Sequence, residues 1–135
     1  LLDEQKIRLT TKVRKLRITG ARELLKTLLY NLVDNARKAS EPGGEILILG
    51  EPVENGYLLS VCDFGRGIPA ESLARLTEPF YMVDKSRARA QGGAGLGLAL
   101  CRKIAQLHGS ELQFESAPGK GTVVSFVLGG GIHEA

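Results

Sequence analysis

Between residues 22 and 40, Leu25, Leu28, Leu29, Leu32, Ala36 and Ala39 recur at intervals of three and four. That spacing lays them along one face of a long α-helix. A helix with a single apolar stripe needs a second layer to cover it. Hydrophobic residues make up 43% of the 135 and charged residues 24%, enough for one compact core.

The remaining segments supply the second layer. Pro42-Gly43-Gly44 ends the helix. Residues 45–50 and 57–62 read as a strand pair turning at Asn55-Gly56. Residues 111–116 and 122–128 read as a second pair, joined by the turn Ala117-Pro118-Gly119-Lys120-Gly121. Residues 6–19 alternate weakly through Ile7, Leu9, Val13, Leu16 and Ile18, and predict two short strands with a basic turn between them. A short helix is expected after Pro69. A second apolar helix runs from Leu96 to His108, stopped by Gly109. Residues 78–94 are polar, carry Lys85, Arg87 and Arg89, and read as a loop or lid. The tail from Gly129 is expected to fray. The order predicts an α+β fold: a two-layer sandwich with a mixed, mostly antiparallel sheet of about five strands and three helices on one face. We expect one domain over residues 1–130, followed by a tail.

A formal charge of +3 is too small for a nucleic-acid surface, which needs a concentrated basic stripe. The densest basic stretch, Lys12, Arg14, Lys15 and Arg17, contains no aromatic residue and reads as a solvated strand edge. Cys62 and Cys101 lie in apolar runs without paired metal spacing, and read as buried thiols of a reducing cytosol. No apolar run approaches the roughly 18 residues that span a bilayer, and no signal-peptide pattern opens the chain. The expectation is a cytoplasmic, monomeric domain without membrane contact, from a parent that can carry membrane segments elsewhere.

Four segments carry chemistry. Asn31, Asn35 and Lys38 are spaced to share one helix face at the border of the apolar stripe. Two amides and an ammonium there suit a hard cation and a phosphate, or simply a satisfied helix boundary. Asp63-Phe64-Gly65-Arg66-Gly67-Ile68-Pro69 follows an apolar strand. A carboxylate at a strand end can accept from an exocyclic amine such as that of adenine, and glycines let backbone approach a flat ring. The plainer reading is an ordinary glycine turn. Gly92-Gly93-Ala94-Gly95-Leu96-Gly97-Leu98 runs into a helix, where free N–H groups and the dipole favour an anion. Gly119-Lys120-Gly121-Thr122 taken alone is a hairpin turn.

Near matches fail on detail. Asp63-Phe64-Gly65 spells a motif of eukaryote-type protein kinases, but the chain has neither an H-R-D segment nor a V-A-I-K strand. A dinucleotide fingerprint needs glycine at position 98, which is leucine, and the Gly119-Lys120-Gly121 turn lacks the ending of a P-loop.

In this order and spacing the segments resemble the N, G1, F, G2 and G3 boxes of the catalytic domain of histidine kinases. That domain shares a superfamily with DNA gyrase B, Hsp90 and MutL. The resemblance covers about residues 20–128, and Glu78-Pro79-Phe80-Tyr81 looks like the F box. It implies an α/β sandwich with ATP between helices and sheet, and Mg²⁺ as cofactor. By resemblance, Asn35 ligates Mg²⁺ with Asn31 assisting, and Lys38 contacts phosphate. Asp63 binds the adenine amine, Gly65, Gly67 and Ile68 shape its pocket with Phe80, and Thr122 lies near adenine through water. Gly93, Gly95, Leu96 and Gly97 form the lid and phosphate site, and Lys85 and Arg87 bring cations to the γ-phosphate.

The implied activity is transfer of the γ-phosphate of Mg-ATP to a histidine on a separate dimerisation domain, with a response regulator as the next acceptor. Hydrolytic relatives place a glutamate where Asn31 stands, and an amide is not a useful general base, so slow intrinsic hydrolysis is expected. Three positions depart from the common pattern: Ala21 for a helix cap, which weakens it by roughly 1 kcal/mol, Ala39 for a larger group near the nucleotide, and Met82 for a basic residue. The H-E/D-x-x-x-P-type acceptor segment is absent from the sequence. His108, in the last turn of a helix, reads as structural. Two alternatives are a serine kinase of the anti-sigma-factor type, and a nucleotide-binding regulatory module without transfer.

Overall fold

The computed structural model describes residues 7–13, 16–17, 22–54, 56–78, 97–129 and 133–134. In chain order these form β1 (Arg8–Val13), β2 (Leu16–Arg17), α1 (Arg22–Ala39), β3 (Glu45–Val53), β4 (Gly56–Asp63), α2 (Ala70–Leu73), α3 (Gly97–Leu107), β5 (Gln113–Ser116), β6 (Thr122–Gly129) and β7 (His133–Glu134).

A five-stranded sheet has the order β1-β3-β4-β6-β5. β1 runs parallel to β3, and the other neighbours are antiparallel. Parallel neighbours need a crossover rather than a tight turn, and the segment carrying α1 provides it. The end of α1 also sets where β3 begins. Ser40 Oγ donates to the Ala36 carbonyl at 2.7 Å, and Gly43 turns the chain at a φ of +85°. The Gly44 carbonyl then accepts the Arg8 N–H at 2.9 Å, which seats Glu45 opposite Arg8.

The predicted layers are those observed, with two corrections. Both short strands expected over residues 6–19 form: β1 joins the main sheet and β2 makes a second, two-stranded sheet with β7. That pairing, Leu16 with Glu134 and Arg17 with His133, replaces the frayed tail expected there. The first strand of the last hairpin also starts two residues late. Gly109 (φ +70°) and Ser110 cap α3, with Ser110 N–H donating to the Ala105 carbonyl at 2.9 Å and Gly109 N–H to Gln106 at 3.0 Å.

The core lies between the helices and the sheet. Leu28, Leu32 and Ala36 of α1 meet Cys101, Ile104 and Ala105 of α3, over Ile46, Ile48, Val61, Phe126 and Leu128 of the sheet. Leu25 and Leu29 pack at its margin, so the stripe read from the sequence is the buried face. Both cysteines are free and buried. Burial pushes the Cys101 thiol up to about 12. No helix among the described residues is long and apolar enough to cross a membrane.

Candidate functional site

Three side chains form a row across three neighbouring strands. Asp63, the last residue of β4, stands opposite Thr122, the first of β6, which stands opposite Ser116, the last of β5. Residues directly opposed in an antiparallel pair share a face of the sheet. Asp63 and Thr122 are each only 7% exposed. Burial pushes the Asp63 carboxyl above the usual carboxylate value. The N–H groups of Gly65 and Thr122 and the charge of Arg66 pull it down without cancelling that effect. The Gly65 N–H lies 2.9 Å from Asp63 Oδ1 and fixes one carboxylate oxygen.

Close packing of backbone against backbone explains the glycines around this row. A Cβ on Gly65 would collide with the Ala39 carbonyl at the end of α1. One on Gly67 (φ +74°) would collide with the Ala117 carbonyl, and one on Gly121 (φ +77°) with that of Asp63. Hydrogen bonds close the same junctions. The Arg66 N–H donates to the Ala39 carbonyl at 3.3 Å, and Gly119 N–H to the Arg66 carbonyl at 2.7 Å. Arg66 Nη1 donates to the Lys38 carbonyl at 3.0 Å. The turn after β4 is thereby fastened to the last turn of α1.

That last turn continues the polar face of the helix. Asn31 Nδ2 donates to the Thr27 carbonyl at 2.9 Å, which leaves Oδ1 as an acceptor. Oδ1 lies 3.4 Å from where a Cβ on Gly97 would stand, so α3 begins against Asn31. Asn35 Nδ2 is buried with no hydrogen-bond partner among the described residues. A buried amide without a partner is costly in a resting protein. Asp34 holds Arg37 Nη2 at 2.8 Å and Lys38 Nζ at 3.2 Å. Burial raises the Asp34 carboxyl, but hydrogen bonds and charge from Arg37 and Lys38 outweigh it and leave the group below its usual value. Among the described residues no three His, Cys, Asp or Glu side chains gather to hold a metal.

A buried strand-end carboxylate is thus joined through one helix to a face of amides and an ammonium. The family model for the histidine kinase-, DNA gyrase B-, and HSP90-like ATPases matches residues 20–130. The chain belongs to that ATPase family. Its sequence and fold are those of a histidine kinase-type catalytic domain. Sensor histidine kinase YkoH of Bacillus subtilis (strain 168) is 42% identical over 123 residues, which are 90% of this chain and 26% of YkoH. Full-length ShkA in complex with AMPPNP superposes with a TM-score of 0.81 at 25% identity, covering 98% of this chain and 27% of that one. The histidine kinase ThkA in complex with response regulator protein TrrA gives a TM-score of 0.76 at 28% identity, covering 95% of this chain and 35% of that one. The chain therefore spans about a quarter of the length of the curated relative it matches.

Within this ATPase-family domain the structure places the sequence-predicted residues in two groups. Asp63, Gly65, Gly67, Ile68 and Thr122 gather at the strand ends; Asn31, Asn35 and Lys38 lie along α1, with Gly97 against Asn31. The groups meet at the Lys38 and Ala39 carbonyls. Phe80, Lys85, Arg87, Gly93, Gly95 and Leu96 lie outside the described residues, as do Ala21 and Met82. The F box is described only at Glu78, whose carboxylate pairs with Arg75 at 3.1 Å. His108 Nδ1 sits 2.8 Å from the Ile104 carbonyl, a local helix contact that agrees with a structural role. Sequence reasoning missed Ser116, and named Gly121 within the Gly119–Thr122 turn without assigning it a role of its own. The only signal for either was position: a serine ending one strand of a hairpin, and the glycine just before Thr122.

Proposed function

We propose that the chain binds Mg-ATP between α1 and the adjoining ends of β4 and β6, and donates the γ-phosphate to a histidine on a separate dimerisation domain of its parent. The observation that carries this reading is the junction at Ala39, which ties the buried Asp63 carboxylate to the helix bearing Asn31, Asn35 and Lys38. Asp63 then accepts from the adenine amine. Gly65 and Gly67 keep the pocket floor free of side chains, and the Ile68 side chain lines it.

The donor set suits Mg²⁺, which works with few protein oxygens when phosphates and water complete its shell. Asn31, whose amide oxygen is left accepting, and Asn35, through its own amide oxygen, are the side chains to hold it. Asn35 Nδ2, without a partner among the described residues, can only donate, to a phosphate oxygen or a water. When bound, the ion neutralises phosphate charge. Lys38 holds a phosphate oxygen, and Lys85 and Arg87 belong to the same proposal as further cations. The chain's own contribution to transfer is positioning and charge. Asn31 takes no proton from water, so hydrolysis in the absence of an acceptor is slow. Relatives that are sensor histidine kinases support a histidine acceptor over a serine, and the ThkA–TrrA complex supports a response regulator as the later partner.

The test has two steps. Calorimetry should show Mg-ATP binding to the wild-type chain and none to Asp63→Ala. Labelled ATP should then phosphorylate a histidine-bearing dimerisation domain from the same parent, added in trans. Binding that survives Asp63→Ala would remove the adenine assignment; binding without transfer to the histidine would leave a nucleotide-binding regulatory module.

A further inference from the structure

The row Ser116–Thr122–Asp63 contains one hydroxyl whose direction is set by its neighbours. Ser116 Oγ has a single proton. It is directed at the Gly121 carbonyl, 2.7 Å away. The same oxygen accepts the Ile68 N–H at 2.9 Å. Thr122 Oγ1 lies 2.8 Å from Ser116 Oγ. With the serine proton committed, Thr122 must be the donor in that contact. Its own proton therefore points along the row away from Asp63, and its lone pairs remain on the side shared with the carboxylate.

We propose that Ser116 is a positioning residue for base specificity: it locks Thr122 as an acceptor, so that the strand ends present two acceptors to a purine. This rests on the ATP-binding reading of the site. Adenine offers an amine at its six position, which two acceptors welcome. Guanine offers a carbonyl there, which they repel. A threonine free to rotate would adapt to either base, and discrimination would weaken. Ser116 needs no contact with nucleotide to have this effect.

The test compares ADP with GDP binding by calorimetry for the whole chain. Wild type is expected to prefer ADP. Ser116→Ala should narrow that preference by about tenfold, the loss of roughly one well-directed hydrogen bond, while Ser116→Thr, which keeps the hydroxyl, should retain it. Thr122→Val should narrow it by a similar factor, and adding Ser116→Ala to Thr122→Val should narrow it no further, because the serine acts only through the threonine. Equal weakening of ADP and GDP by Ser116→Ala would make the residue merely structural and overturn the inference. So would a full preference retained by Thr122→Val, a result that stands even if Ser116→Ala fails to fold. Wild type that binds neither nucleotide would instead refute the ATP reading beneath it.

Discussion

Replacing Gly65 with alanine tests whether the strand-end turn and the helix form one unit. The added Cβ would overlap the Ala39 carbonyl oxygen, stand 2.7 Å from its carbon, and lie 3.1 Å from Asp63 Oδ1. The obstacles are backbone and a fixed carboxylate, so the turn must lift off α1. Lifting breaks the Arg66 N–H bond to Ala39 and disturbs the Gly65 N–H bond to Asp63. Two hydrogen bonds at about 1 kcal/mol each, with overpacking strain of about 1 kcal/mol or more, give a loss of about 3 kcal/mol. Gly43→Ala is the control, because its φ of +85° carries backbone strain while nothing lies within 4 Å of the new Cβ. It should cost about 1 kcal/mol. Urea unfolding of the two variants measures the difference, and calorimetry with ADP should show Gly65→Ala weakened by at least about tenfold through displacement of Asp63. A Gly65→Ala protein as stable as Gly43→Ala, with wild-type ADP affinity, would refute the proposed junction.

Other outcomes follow from the same geometry. Asp63 has a carboxyl raised by burial, so its folded form holds a proton over a window above the ordinary carboxylate value. The cost of its buried charge is absent below the unfolded pKa and fully present above the raised folded one, so its contribution to stability falls as pH rises through that window. Asp63→Asn should therefore raise the melting temperature at neutral pH while weakening ADP binding, and wild-type affinity should fall as acid protonates the carboxylate; calorimetric scans and titrations across pH check both. Asn35→Ala should cost less than about 1 kcal/mol in urea, since its buried amide nitrogen has no described partner to lose. It should nevertheless abolish the gain in ATP affinity that Mg²⁺ gives over a chelator. Cys101, fully buried and with its thiol pushed up to about 12, should resist iodoacetamide at pH 8 in the native chain and react in urea, as mass spectrometry of the modified peptide would show.

The local parts of this fold were legible because their signals are local. The stripe from Leu25 to Ala36 and the glycine after α3 each specify structure within a few residues. The partnership of β1 with β3 was not readable from a weak alternation, because it depends on a crossover whose pairing partner begins only at Glu45. The β2–β7 pair joins residues more than a hundred positions apart, and the glycine run before it suggested fraying. At the site, Asp63, Gly65 and Gly67 stood out by type and spacing. Ser116 did not, because a strand-end serine gains meaning only when β6 brings Thr122 beside it. The sequence also offered no hint that Ala39 would contribute through its carbonyl, since backbone acceptors are common to every residue.

The carbonyls that close α1 accept hydrogen bonds from Arg66, one from its main-chain N–H and one from its guanidinium, and this gives the domain a built-in ruler. In the proposed site, the separation between the purine end and the triphosphate end of a ligand is graduated in part by the main-chain bond from Arg66 to Ala39, which substitution of a side chain leaves in place. Residues on the outer surface can therefore diverge widely without changing the calibration, whereas a single methyl group at position 65 would shift its zero.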